Sequence, residues 1–308
     1  MRQGLFKTFF TTFSSVAGAL LVGVFIVAVV IGTFRFVVRE FVSSERTTTY
    51  TNNEVSEVPS GEMEIGPKIP EVTAGAYIVT NLTTGKVLVQ KNADKVLPIA
   101  SISKLYTAVV TRESLDSRKV VTIDADILAT EGATAGFKKD EKISVANLLY
   151  PLLMVSSNDA AEALAASAGR TAFVAAMNNL AASIGATGTR FADPSGLSQF
   201  NVSTARELSR FLGWLYIQHP EIIDITKLKT KSIRGHTWTN TTHYLNLASY
   251  AGGKNGFTDE AERTAASIFL LPNEEGTLEP HIFIVLLSKN RDKDVLGLLK
   301  YVSGGKQS

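Results

Sequence analysis

Ser101 and Lys104 stand three residues apart in the segment Leu97-Pro98-Ile99-Ala100-Ser101-Ile102-Ser103-Lys104. Ile102, Leu105, Tyr106 and Val109 recur at i, i+3, i+4 and i+7, so the spacing predicts a helix that begins here, just past Pro98. One helical turn puts the serine hydroxyl and the lysine amine on neighbouring faces. An uncharged amine in that position can take the hydroxyl proton, which lets a weak oxygen nucleophile attack a carbonyl carbon. The Ser101 N–H falls in the first turn, lacks a helical acceptor and is free to hold an oxyanion. The same spacing recurs at Ser303-Gly304-Gly305-Lys306, so the pair alone does not specify chemistry.

Two later segments carry groups that suit an acyl-transfer site. Met154-Val155-Ser156-Ser157-Asn158-Asp159 lies at a break between two helical stretches. There the Ser156 hydroxyl can relay a proton to a leaving amine, and the Asn158 carboxamide can bind a peptide group; helix capping by Asn158 is the plainer reading. Gly252-Gly253-Lys254-Asn255-Gly256-Phe257-Thr258-Asp259 precedes a strand-like run. Its glycines permit close backbone approach along a sheet edge, with the Lys254 cation beside it. A glycine-rich turn carrying a solvated lysine is the alternative.

The elements that must position these groups are partly readable. Ala76–Val79 and Lys86–Val89 flank a turn closed by Gly85, a predicted hairpin. Ser144 is predicted to cap a helix that Pro151 kinks; Asp159–Ala168 and Thr171–Ile184 read as helices ending at Gly169 and Gly185. Thr204 and Glu207 fit a capping box, and His219-Pro220 stops the helix they start. Strand character returns at 231–234, 264–271 and 281–288, followed by a helix over 292–302. Strands at both ends with helices between them predict an α/β fold, an α+β sandwich. Its mainly antiparallel sheet comes from N- and C-terminal strands, with helices on its faces and an inserted helical subdomain.

Upstream, Thr8 to Phe34 contains no charged residue, and Val16 to Phe34 is almost wholly apolar. A helix of that length spans about 30 Å of hydrocarbon. A short cytoplasmic N-terminus (1–14), one transmembrane anchor (15–38), a polar linker (39–71) and a folded domain (72–308) are therefore expected. A cleaved signal peptide is the competing reading, but the apolar run is long and no clear A-x-A site follows it. The 308-residue chain is 45% hydrophobic and carries a net charge of +2 with no long basic block, which gives no sign of nucleic-acid binding. It has no cysteine, so thiol nucleophiles and Cys-type metal sites are excluded, and its four histidines show no metal-ligand pattern.

Ser-x-x-Lys, Ser-x-Asn and Lys-x-Gly in this order resemble the penicillin-recognising serine D,D-peptidases. The likeness spans about Val72 to Val302 and includes Thr84-Gly85-Lys86-Val87-Leu88 in the opening hairpin. Phe191-Ala192-Asp193-Pro194-Ser195-Gly196-Leu197, followed by Ser203-Thr204-Ala205, is similar to the D-alanyl-D-alanine carboxypeptidase branch. The resemblance implies hydrolysis of the D-Ala-D-Ala bond of peptidoglycan stem peptides, with β-lactams as covalent inhibitors and no metal or organic cofactor. It assigns Ser101 as nucleophile, Lys104 as base, Ser156 as proton relay and Asn158 as a positioner of the substrate amide. Lys254, Asn255, Gly256, Phe257 and Thr258 would bind substrate, with the N–H groups of Ser101 and Phe257 as the oxyanion hole. Lys254 would attract the substrate carboxylate. It also implies a domain on the outer side of the bacterial cell membrane. One departure stands out: Asn255 replaces the threonine usual between the lysine and glycine, and Thr258 or Arg263 is expected to compensate. A β-lactamase of the same fold needs an activating Glu, absent from Thr242-His243-Tyr244-Leu245-Asn246. A D,D-endopeptidase and a catalytically impaired binding domain are the other readings.

Overall fold

A computed structural model describes residues 70–304. The expected N-terminus, anchor and all of the linker except Pro70 and Glu71 lie outside the described residues. Among the described residues no helix is long and apolar enough to cross a membrane.

In chain order the elements are β1 (Ala76–Asn81), β2 (Val87–Lys91), β3 (Leu97–Pro98), a 3-10 turn over Ala100–Ile102, α1 (Ser103–Ser114), β4 (Val120–Thr122) and α2 (Ala125–Leu128). Next come β5 (Lys142–Ser144), α3 (Val145–Met154), α4 (Asn158–Ser167), α5 (Arg170–Ser183), β6 (Val202–Ser203), α6 (Ala205–Gln218) and α7 (Pro220–Thr226). The chain closes with β7 (Thr230–Ile233), β8 (His236–Thr239), β9 (Tyr250–Thr258), β10 (Glu262–Pro272), β11 (Leu278–Ser288) and α8 (Arg291–Val302).

The long apolar runs of β10 and β11 suit strands covered on both faces. Successive side chains of a strand point to opposite sides. Accordingly Ile282, Ile284 and Leu286 enter one apolar cluster with α1, α3, α4, α5 and α6, while Phe283 and Val285 enter another with Val295, Leu298 and Leu299 of α8. Five strands form the main sheet in the order β2-β1-β11-β10-β9, every pair antiparallel. Ala76 pairs with Leu286, which closes the first strand onto the last. The expected sandwich, with helices inserted between terminal strands, is thus present.

Several local expectations change in detail. Ser144 occupies the N-cap position of α3 without a side-chain cap bond, and Pro151 lies inside that helix. Thr204 accepts from Glu207 N–H, but the Glu207 carboxylate turns away to Gly188 N–H and Thr189 Oγ1, so only half of the capping box forms. Pro220 ends α6 and also begins α7, at the position where a missing N–H costs least. The 231–234 strand finds its partner in β8, a hairpin turned by Arg234-Gly235. The glycine-rich segment is the edge strand β9, with Lys254 opposite Ala266 and Gly256 opposite Thr264.

Candidate active site

Ser101 sits in the 3-10 turn that feeds α1, between two glycine-bearing walls. A Cβ added to Gly196 would lie 2.0 Å from Ala100 O, and one added to Gly256 would lie 2.8 Å from Ser101 N. Only hydrogen at those two positions lets the 193–198 loop and β9 close onto the nucleophile backbone. The turn is pinned elsewhere by Thr264 Oγ1 donating to Ile99 O at 3.1 Å and Ser103 Oγ donating to Ala100 O at 2.8 Å.

Lys104 is 0% exposed, with Nζ 2.9 Å from Ser101 Oγ, 2.7 Å from Asn158 Oδ1 and 2.5 Å from Ser195 O. Asn158 Oδ1 and Ser195 O only accept. They take the two hydrogens of a neutral amine and leave its lone pair aimed at the serine hydroxyl. Burial, and then the Lys254 cation, hold the Lys104 amine well below the usual lysine range against the opposing pull of Asp193, Asp159 and Glu162. The geometry therefore orients a base, and burial favours its uncharged form.

Asn158 begins α4 and is gripped at both ends. Its N–H donates to Ala133 O at 2.6 Å and its Nδ2 to Glu131 O at 2.8 Å. The cap of α4 is Ser157, whose Oγ accepts from Ala160 N–H at 3.0 Å, which leaves the Asn158 side chain free for Lys104. Ser157 Oγ also donates to buried Asp159, which in turn accepts from Ala135 N–H. Ser156 lies between α3 and α4, half-buried, with a left-handed φ of 61°. Its hydroxyl makes no hydrogen bond among the described residues.

On β9, Lys254 is 5% exposed, and its Nζ donates to Asn255 O at 2.6 Å. Burial, and after it the Arg291 charge, push Lys254 down to about 7. Asn255 donates through Nδ2 to Thr242 Oγ1 at 3.3 Å and leaves a buried Oδ1 without a partner. Gly256 O faces Arg291 at 3.5 Å. Phe257 is 56% exposed with the Arg263 guanidinium 5.3 Å from its ring centre. Thr258 Oγ1 accepts from Ala261 N–H at 3.1 Å, closing the β9–β10 turn. The expected compensation for Asn255 therefore meets two side chains already engaged, Thr258 in a turn and Arg263 over a ring.

Asp193 and Ser195 matter here in a way that spacing alone does not reveal. Asp193 Oδ1 accepts from Ser195 N–H and Gly196 N–H, both at 2.6 Å, and from Ser195 Oγ at 2.8 Å; Oδ2 accepts from Ser198 N–H at 2.7 Å. The loop is wound around one carboxylate, and it delivers the Ser195 carbonyl to Lys104. Asp-Pro-Ser-Gly is a readable turn signal, but its acceptor is a backbone oxygen with no side-chain signature.

A sequence model of the peptidase S11 family, D-alanyl-D-alanine carboxypeptidase, matches residues 63–267. A D-alanyl-D-alanine endopeptidase of Pseudomonas aeruginosa is 38% identical over 208 residues, covering 63% of this chain and 66% of that protein. One from Escherichia coli is 37% identical over 205 residues, covering 62% and 66%. The alignments thus span just under two thirds of each relative. Among solved structures, a Mycobacterium tuberculosis D-alanyl-D-alanine carboxypeptidase superposes with a TM-score of 0.71 at 27% identity, covering 78% of this chain and 95% of that one. Listeria monocytogenes penicillin-binding protein D2 in its cefotaxime-bound form gives 0.67 at 30% identity, covering 77% and 98%. With its Ser101–Lys104–Asn158 cluster on this fold, the chain belongs to the D-alanyl-D-alanine carboxypeptidase family, peptidase S11.

Proposed function

We propose that the protein is a serine D,D-peptidase that hydrolyses the D-Ala-D-Ala bond ending peptidoglycan stem peptides. The carrying observation is the Lys104 amine, buried, steered by two acceptors and 2.9 Å from Ser101 Oγ. Ser101 Oγ attacks the penultimate carbonyl while Lys104 takes its proton. The Ser101 and Phe257 N–H groups receive the oxyanion, an interaction of roughly 3–4 kcal/mol per donor in comparable sites. Collapse of the tetrahedral intermediate breaks the C–N bond. Ser156 passes a proton to the departing D-Ala amine, Asn158 positions the substrate amide and Lys254 attracts the terminal carboxylate. Water then frees the acyl-enzyme. Asn255, Gly256 and Thr258 complete the substrate strand, and β-lactams acylate the same serine. Residues 15–38 anchor the enzyme in the bacterial cell membrane with the domain outside.

Fluorescent penicillin tests the chemistry. A durable adduct on the full-length protein, absent from Ser101→Ala, is the expected result; rapid turnover of the label would indicate a lactamase, and no label a binding domain. The names of the two curated relatives favour a second reading, endopeptidase action on the amide that joins two stems in a cross-link. Defined muropeptides read by mass separate the two: loss of one D-Ala from a pentapeptide marks a carboxypeptidase, whereas cut cross-links beside intact pentapeptide mark an endopeptidase.

A further inference from the structure

Away from the Ser101 cluster, a cavity of about 610 Å³ opens between the 136–142 segment and the β7–β8 turn. Lys138, Lys139, Lys142 and Arg234 line it, together with Asp140, Glu141 and His236. Among the described residues the three lysine ammonium groups have no ion-pair partner. Glu141 is already engaged by His236 Nε2 at 2.7 Å and by Lys138 N–H at 3.0 Å. The cavity therefore holds an excess of unneutralised positive charge.

Its walls are fixed. Arg234 donates to Lys142 O at 3.3 Å, His236 lies flat against Trp238 with 5.4 Å between ring centres, and Trp238 Nε1 donates to Ala135 O at 3.0 Å. Asp140 and Arg234 hold left-handed φ values of 63° and 48°, conformations that persist only where surrounding contacts enforce them. The same wall leads to the catalytic cluster, because Glu131 O and Ala133 O hold Asn158 and Ala135 N–H is held by Asp159. Lys138 follows Ala133 by five positions, at most about 18 Å of chain, a span that five residues of extended peptide also cover.

We infer that this cavity binds the free carboxylates of the stem peptide upstream of the scissile bond, and so selects acidic over amidated stems. The inference rests on the D,D-peptidase reading. Peptidoglycan stems carry those groups either as carboxylates or as carboxamides, and a cationic concavity tied by so short a length of chain to the backbone that holds Asn158 raises the local concentration of the acidic form.

The test compares a stem pentapeptide with free carboxylates against the same peptide amidated, on the full-length protein and on Lys139→Glu/Lys142→Glu. The wild type should favour the acidic peptide in kcat/KM by about tenfold at low ionic strength. That ratio should fall to one or below in the double variant. Penicillin labelling of Ser101 shows whether the variant has folded. If it has not, salt titration of the wild type reads the same preference, which should vanish as screening rises. If neither pentapeptide is hydrolysed, the carboxypeptidase reading fails, and anisotropy of the two labelled peptides on Ser101→Ala still measures the ratio. An equal ratio in wild type and variant overturns the inference. So does a preference for polyphosphate lost in the variant with the peptide ratio unmoved, which would assign the cavity to a phosphate polymer.

Discussion

At the scale of single residues, the site turns on which acceptors surround Lys104. The amine works as a base only when uncharged, so acylation should rise with pH through its depressed titration. Lys254 carries its charge mainly below about 7, so kcat/KM for substrates ending in a carboxylate should decline above neutrality. The C-terminal carboxamide analogue should keep its rate there. A pH–rate profile with both substrates checks the two limbs. Asp193 is a positioning residue. Asp193→Ala should unwind the loop that presents Ser195 O and slow penicillin acylation by about 10²-fold, the usual consequence of a 1 Å misplacement. Asp193→Asn should recover part of that rate, because Oδ1 can still accept. It should also move the acid limb to lower pH, since the negative charge that favours protonated Lys104 is gone. A purely structural role would not move the profile.

At the scale of elements, close approach decides what substitution does. Gly185 and Gly196 both have positive φ, 72° and 84°, yet a Cβ at Gly185 meets nothing within 4 Å while one at Gly196 strikes the Ala100 carbonyl. Gly185→Ala should cost about 1–2 kcal/mol of stability through backbone strain and leave labelling intact. Gly196→Ala should lower the melting temperature further and abolish labelling by displacing the turn that carries Ser101. Much of this layer was legible in advance. The i, i+3, i+4 stripe located α1, glycines marked the ends of α4 and α5, and largely apolar runs marked β10 and β11. Other features were hidden for physical reasons. β3, β4, β5 and β6 are two or three residues long, too short for any period to register. β9 is rich in glycine, so no alternation of side chains announces a strand. The cap of α4 could be any of Ser156, Ser157 or Asn158 by residue type, and only the tertiary demand of Lys104 on Asn158 assigns it to Ser157.

At the scale of the molecule, the sheet divides the apolar interior into two clusters with separate duties. The helical side carries the nucleophile; the α8 side carries none of the candidate catalytic groups. Leu298→Ala, a truncation at a fully buried position of α8, should therefore cost about 2–5 kcal/mol and lower the melting temperature. The rate of acylation per folded molecule should stay unchanged, as a stopped-flow penicillin assay would show.

The order of strands has a temporal consequence. Ser101 and Lys104 are made early, but Gly256 reaches the nucleophile only when β9 is seated on β10, and β10 is seated on β11, whose other neighbour is β1. A nascent chain halted anywhere before residue 288 has its reactive serine and no finished cleft around it. A chain ended there should therefore take no penicillin label on Ser101, and labelling should appear only once the final strand lies beside the first.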